Sequence, residues 1–290
     1  MSIAIVHFAV AQYSGDPEGR WFSYGARASA FAGAYATQIQ DVSSMYWNPA
    51  TIAYLDGNSV LWDYFQEWHG KMKSELLAMP FTVGMGNAVA FGINATQIQL
   101  SDEFGKHTGS MYGFDFASAT ELTSTFSLGI RGTAQYGTAG NEQLWTGSSA
   151  IGILYAPGPE VGYGMVLSGL GGEVQYSIDN GALVLKHQTT PRNLQLGLAM
   201  RFPSSKLERT VTISLANDKT FGTKGIRYNG AIEWLATRFL ALRTGYVVSP
   251  TYAGAKYGIG IHTAGMLLDY AISPSTLTDQ FQEITMSIQF

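Results

Sequence analysis

From residue 59 to the end of the chain, apolar and polar residues take turns. Leu194, Leu196, Leu198, Met200 and Phe202 occupy alternate positions, with Gln195, Gly197, Ala199 and Arg201 between them. Phe126, Leu128 and Ile130 alternate with Ser127, Gly129 and Arg131 in the same way, and Val211, Ile213 and Leu215 with Thr210, Thr212 and Ser214. Tyr112, Phe114 and Phe116 oppose Gly113 and Asp115, and Ile226, Tyr228, Ile232 and Trp234 oppose Arg227, Asn229 and Glu233. The pattern persists through Ile284, Met286, Ile288 and Phe290, set against Glu283, Thr285, Ser287 and Gln289. A period of two marks a strand with two unlike faces. Turn residues divide the stretch into about thirteen or fourteen such segments of roughly 10 to 12 residues, the length a tilted strand needs to cross a bilayer.

The two faces differ in an unusual way. One is large and aromatic. The other is Gly, Ser, Ala and Thr with isolated charges, where the outer face of a soluble sandwich would carry many Lys and Glu. Trp62, Trp68, Trp145, Tyr155, Trp234 and Tyr246 fall near segment ends, as interfacial aromatic girdles do. The pattern predicts an all-β chain forming a transmembrane antiparallel β-barrel of 14 strands, an even number as in single-chain bacterial barrels. Closure would pair the last strand with the first, because an open edge in lipid leaves backbone groups unbonded. A soluble secreted β-protein is the alternative.

Composition agrees with the barrel. Charged residues make up 13% of the chain and aromatics another 13%, with 34 glycines, against roughly 25% charged residues in ordinary soluble domains. The net charge of −4 leaves no basic footprint for nucleic acid. There is no cysteine, which excludes disulfides, thiolate metal sites and cysteine nucleophiles. No apolar run is long enough for a membrane-spanning helix.

The first 57 residues break the alternation. Residues 1–11 read as the tail of a secretory leader, with Ala9-Val10-Ala11 as a small-x-small cleavage pattern. Residues 12–57 read as a hatch inside the lumen of the barrel at 58–290. Nine of the twelve residues from Gly25 to Ala36 are Gly, Ala or Ser, which predicts a thin helix able to pack backbone to backbone. Asp41 is a candidate N-cap for the run after it. Asn48 can cap a second helical start, with Pro49 at its first position.

These residues carry a resemblance. Gly25-Ala26-Arg27, Ala32-Gly33-Ala34 and Asp41-Val42-Ser43-Ser44-Met45-Tyr46-Trp47-Asn48-Pro49-Ala50 resemble the N-terminal signature of the PorV/PorQ family, within the wider FadL-like outer-membrane barrels. The sequence departs from that signature at Ala32, often glycine there, and at Gln40, where a second acid is common. The resemblance implies a 14-stranded barrel with an N-terminal hatch, whose motif residues here are Arg27, Asp41, Trp47, Asn48, Pro49 and Ala50. It also implies a bacterial outer-membrane location. It further implies a role with exported proteins in a type IX-like secretion system or, in the FadL branch, transport of fatty acids and other hydrophobic molecules. The terminal Ile284, Met286, Ile288 and Phe290 resemble the recognition signal that outer-membrane barrels present to their assembly machinery.

Candidate chemistry is sparse. The five histidines show no metal-ligand spacing, and no nucleotide or hydrolase motif is present. His262 lacks an identifiable orienting partner. The expectation is a protein with no enzymatic activity, no cofactor and no metal, whose partners are lipid, the assembly machinery, and either exported proteins or a hydrophobic small molecule. Asp63, Glu67, Asp115, Arg131, Arg201, Arg227, Glu233, Arg243 and His262 should face the lumen, where buried charges are normally paired. Arg27 is a candidate partner for a lumenal acid. A carried hydrophobe would meet Phe31, Tyr35, Met45 and Tyr46, unless these side chains simply anchor the hatch.

Overall fold

The chain closes on itself through its first and last strands. In a computed structural model, the structure describes residues 24–67, 70, 72–102, 105–139, 142–178, 186–204, 209–250, 252–263, 265–274 and 280–290. The strands are β1 (Ser59–Glu67), β2 (Met72–Thr82), β3 (Asn87–Asp102), β4 (Gly105–Thr123), β5 (Phe126–Ala139), β6 (Glu142–Gly158) and β7 (Val161–Ile178). They continue with β8 (Lys186–Thr189), β9 (Asn193–Ser204), β10 (Arg209–Thr220), β11 (Arg227–Thr237), β12 (Leu240–Val248), β13 (Ala253–Thr263), β14 (Met266–Ser273) and β15 (Phe281–Gln289). Successive strands pair antiparallel, β7 with β9 across the four-residue β8, which itself pairs only with β7 among the described residues. β15 returns to β1, from Ser59 opposite Gln289 to Glu67 opposite Phe281. The result is a closed antiparallel barrel of 14 strands.

Burial runs opposite to that of a soluble protein, which decides between the two expectations. On β15 the polar side is inside, with Glu283 0%, Thr285 6% and Ser287 9% exposed, while Ile284, Met286 and Ile288 are 37%, 36% and 45% exposed. On β9, Gln195 and Ala199 are buried while Leu196 and Phe202 point outward. Trp62, Trp145, Tyr155, Trp234 and Tyr246 also stand outward, whereas Trp68 lies outside the described residues. Water would not tolerate so continuous an apolar exterior. Hydrocarbon does, and barrel closure removes the sheet edges that hydrocarbon would not.

The wall is uneven. β11 to β15 have 8 to 11 residues, close to the expected length. β3 to β7 have 14 to 19, longer than the pattern predicted. At about 3.4 Å per residue, 19 residues extend ~60 Å along the strand, more than a tilted strand needs to cross ~30 Å of hydrocarbon. On that side the wall extends beyond the membrane, so its length is set by more than the bilayer.

The expected leader at 1–11, and the hatch segment as far as residue 23, lie outside the described residues. From Tyr24 to Asn58 the chain lies within or under the barrel. Its elements are α1 (Ala26–Ala30), α2 (Ser44–Trp47) and a 3-10 turn at Pro49–Tyr54. The predicted small-residue helix from Gly25 to Ala36 is therefore a single turn. Ala32 (φ 52°) and Gly33 (φ 87°) enter the left-handed region directly after it, and a helix cannot continue through that conformation.

Candidate functional site

The hatch begins with glycine and small residues because it lies almost directly on the barrel wall. A Cβ on Gly245 of β12 would stand 2.5 Å from the Ala30 carbonyl oxygen and 2.8 Å from the Ala32 nitrogen. A Cβ on Gly129 of β5 would strike the Pro49–Ala50 peptide, and one on Gly164 of β7 the Ala36 carbonyl. Gly152 receives the Asn48 side chain, and Gly197 lies beneath the Ala36 methyl. These five lumenal glycines form a seat that follows the hatch backbone around the inner wall. Both departures from the family signature fall at strained positions. Ala32 and Gln40 are the two non-glycine residues with positive φ among those described, and this conformation is costly for a side chain with a Cβ.

Asp41 organises the hatch from within. Its Oδ1 accepts from the Ser43 N–H at 2.8 Å and from the Ser43 hydroxyl at 2.6 Å, and its Oδ2 accepts from the Tyr35 hydroxyl at 2.7 Å. Ser43 immediately precedes α2 but makes no side-chain cap bond; the Asp41 carboxylate takes the exposed Ser43 amide, two residues on, as a capping side chain does. Burial above all holds the Tyr35 hydroxyl well above the usual tyrosine range; the Arg27 charge opposes this and the Asp41 carboxylate reinforces it. Asn48 caps as expected. Its Oδ1 accepts from Ala50 N–H at 3.1 Å, with Pro49 at the first position of the 3-10 turn. Its Nδ2 donates to the Ala36 carbonyl (2.7 Å) and to the wall carbonyl of Ile153 (3.0 Å). Ala50 accepts from Ser127 at 3.0 Å, and Trp47 donates to the Tyr24 carbonyl at 3.1 Å.

Charge secures the α1 side. Arg27 reaches both oxygens of Glu233 on β11, Nε at 2.9 Å and Nη2 at 2.8 Å, and its Nη1 lies 3.5 Å from Asp41. Glu233 also accepts from Arg243 Nε at 2.6 Å, and Arg243 Nη1 reaches Asp269 at 2.5 Å. The result is a continuous chain from hatch to wall, Asp41–Arg27–Glu233–Arg243–Asp269, with the two cations spaced among three acids. Alongside it, Ala26 N–H donates to Thr285 Oγ1 at 2.6 Å, and the Ser29 hydroxyl bonds Glu283. Alternation had pointed to the inward charges of β11 and β12, but Asp269 and Glu283 were not among the candidates. Asp269 lies between the outward Leu268 and Tyr270, so the parity rule extended to β14 would have found it, and Glu283 already stood on the polar side of the terminal strand.

Phe31, Tyr35 and Met45 are fully buried. Phe31 and Tyr35 pack against Ala216 and Ala231 of the wall, and Met45 packs among Ile52, Leu61 and Leu76. Tyr46 is half-buried, stacked on Tyr24 at 4.4 Å, with the Arg131 guanidinium 5.3 Å from its ring centre. None of the four presents an open apolar face to the lumen, so in this conformation they anchor the hatch. His262 lies 3.5 Å from Arg243 Nη2 and has no serine partner among the described residues, and no group of three metal-ligating side chains occurs there either. At the terminal strand, Phe290 is 71% exposed and its N–H reaches the Asn58 carbonyl at 3.0 Å.

No protein-family model matches the chain, and no curated protein matches it in sequence. Solved structures do match. The toluene transporter TbuX of Ralstonia pickettii superposes with a TM-score of 0.66 at 13% identity, over 92% of this chain and 98% of that one. The monoaromatic hydrocarbon channel CymD gives 0.65 at 12%, over 92% and 98%. The chain has the fold of FadL-like outer-membrane barrels. A FadL homologue of Pseudomonas aeruginosa agrees, with a TM-score of 0.62 at 11% identity over 93% and 99%. The first two are described as a transporter and a channel. The likeness carries the FadL-like part of the resemblance read from the sequence, at the level of fold; the PorV/PorQ part rests on the local motif alone.

Proposed function

We propose that this protein admits small hydrophobic molecules across the outer membrane of a Gram-negative-type bacterium, with residues 24–58 as the hatch that closes the passage. The observation that carries this reading is a 14-stranded barrel plugged by its own N-terminal segment, matching hydrocarbon transporters over nine-tenths of its length. The ionic chain and the glycine seat hold the hatch shut, and its aromatic side chains become available to an apolar solute only when it moves.

The exported-protein role implied by the family motif is the second reading: the PorV/PorQ likeness rests on residues 25–50, whereas the likeness to transport barrels extends over 92% of the chain. Gentle detergent purification followed by mass spectrometry separates the two readings. A co-purified hydrophobe with no stoichiometric protein supports transport, whereas exported proteins sharing a C-terminal domain overturn it in favour of secretion.

A further inference from the structure

The membrane-facing wall carries a second feature, independent of the hatch and of the transport reading. Between β9, β10 and β11 the outer surface holds a groove of about 350 Å³, lined by Leu196, Leu198, Leu215, Asn217 and Tyr228. Leu196, Asn217 and Tyr228 are register partners across the three strands. The groove has room because Gly230, the partner of Leu215, stands outward without a side chain. A Cβ there would meet only the tip of Leu215, at 3.5 Å.

Asn217 is out of place on this surface. Its neighbours Ala216 and Asp218 are buried on the lumenal side, so its amide belongs to the outward set with Leu215. The side chain finds no hydrogen-bond partner among the described residues, and an unpaired amide facing hydrocarbon is costly. The next outward residue is Lys219. Its ammonium donates to the Thr223 carbonyl at 2.8 Å and the Gly225 carbonyl at 2.9 Å, using two of its three donors. Lys224 is exposed in the same turn. The outward faces of β9, β10 and β11 carry no acid among the described residues. Along the wall the groove runs from leucines to one unpaired amide, and beyond its end, toward the rim opposite the termini, stand Lys219 and Lys224.

We propose that this groove seats one anionic membrane lipid. An acyl chain lies along Leu196, Leu198 and Leu215. Its ester or amide linkage meets Asn217, and its phosphate meets Lys219 and Lys224. A neutral hydrocarbon would leave the Asn217 amide and the third donor of Lys219 unmatched, and a protein partner would need an acidic apolar strand face within the bilayer.

The test is native mass spectrometry of the detergent-purified barrel with lipid A, phosphatidylglycerol or phosphatidylcholine added. One anionic lipid per chain should survive transfer, in preference to phosphatidylcholine, and comparing lipid A with phosphatidylglycerol shows which anionic lipid the groove prefers. Asn217→Leu combined with Lys219→Gln should reduce retention roughly tenfold, the effect of losing about one charge-assisted bond. If that double variant fails to fold, Lys219→Gln alone and Gly230→Leu, which fills the groove from outside, serve instead. Equal retention of phosphatidylcholine, or unchanged retention in folded variants, overturns the proposal.

Discussion

Replacing Arg27 with alanine isolates the contribution of charge to closing the barrel. Arg27 binds both oxygens of Glu233, at 2.8 and 2.9 Å, and its side chain is 19% exposed against 3% for Glu233. Breaking a buried pair by removing one member costs about 3 to 5 kcal/mol, because the remaining charge is left uncompensated. Here Glu233 keeps Arg243 at 2.6 Å, so the lower end applies, about 3 kcal/mol. At about 1.4 kcal/mol per tenfold, the balance between seated and unseated hatch shifts by roughly 10² in favour of the open form. Planar-bilayer recordings of the refolded barrel measure this directly. Wild type should be almost always shut, and Arg27→Ala should show open events with total dwell raised about a hundredfold. Glu233→Ala should act in the same direction, and the double variant should be less than additive. A folded Arg27→Ala barrel as tight as wild type would falsify the reasoning, and would mean that the backbone seat alone closes the lumen.

The seat can be tested separately. Gly245→Val should eject the α1 end of the hatch and leave a permanent pore, while strand content and heat-modifiable gel migration stay unchanged. Ala32→Gly relieves a left-handed backbone worth about 1 to 2 kcal/mol and gives back about 0.4 to 1 kcal/mol of unfolded-chain entropy, so a slightly raised melting temperature is expected. Tyr35 is buried with its hydroxyl titrating well above the usual range. The folded protein therefore holds that proton where the unfolded chain loses it, and stability should fall as pH rises through the ordinary tyrosine value near 10. Tyrosine ultraviolet titration should show Tyr35 and Tyr46 silent through the ordinary range until the hatch comes loose, and Tyr35→Phe should leave the early part of the titration unchanged. Asp41→Ala removes the acceptor shared by Tyr35 and Ser43 and should loosen α2 by about 1 to 3 kcal/mol, read as faster proteolysis of the hatch within an intact barrel.

The parity of one residue against the next was enough to determine the barrel. Leu194 to Phe202 and Ile284 to Ile288 had to point one way and Gln195 to Arg201 and Glu283 to Ser287 the other, because side chains on a strand alternate whatever surrounds them. Pairing the first strand with the last follows from the cost of an open edge in lipid. The caps at Asn48 and Pro49 were also legible, since capping is a local matter of one side chain and the amides next to it. Tertiary structure decided the rest. Which lumenal charges meet depends on how the strands stagger around the barrel, so Arg27 finding Glu233, and Arg243 finding Asp269, could not be read from spacing along the chain. The predicted small-residue helix yields to a left-handed turn at Ala32 and Gly33 because the hatch must follow the curve of a wall that local propensity knows nothing about. The glycines of the seat, scattered from Gly129 to Gly245, acquire a common purpose only when the hatch backbone lies against all of them at once.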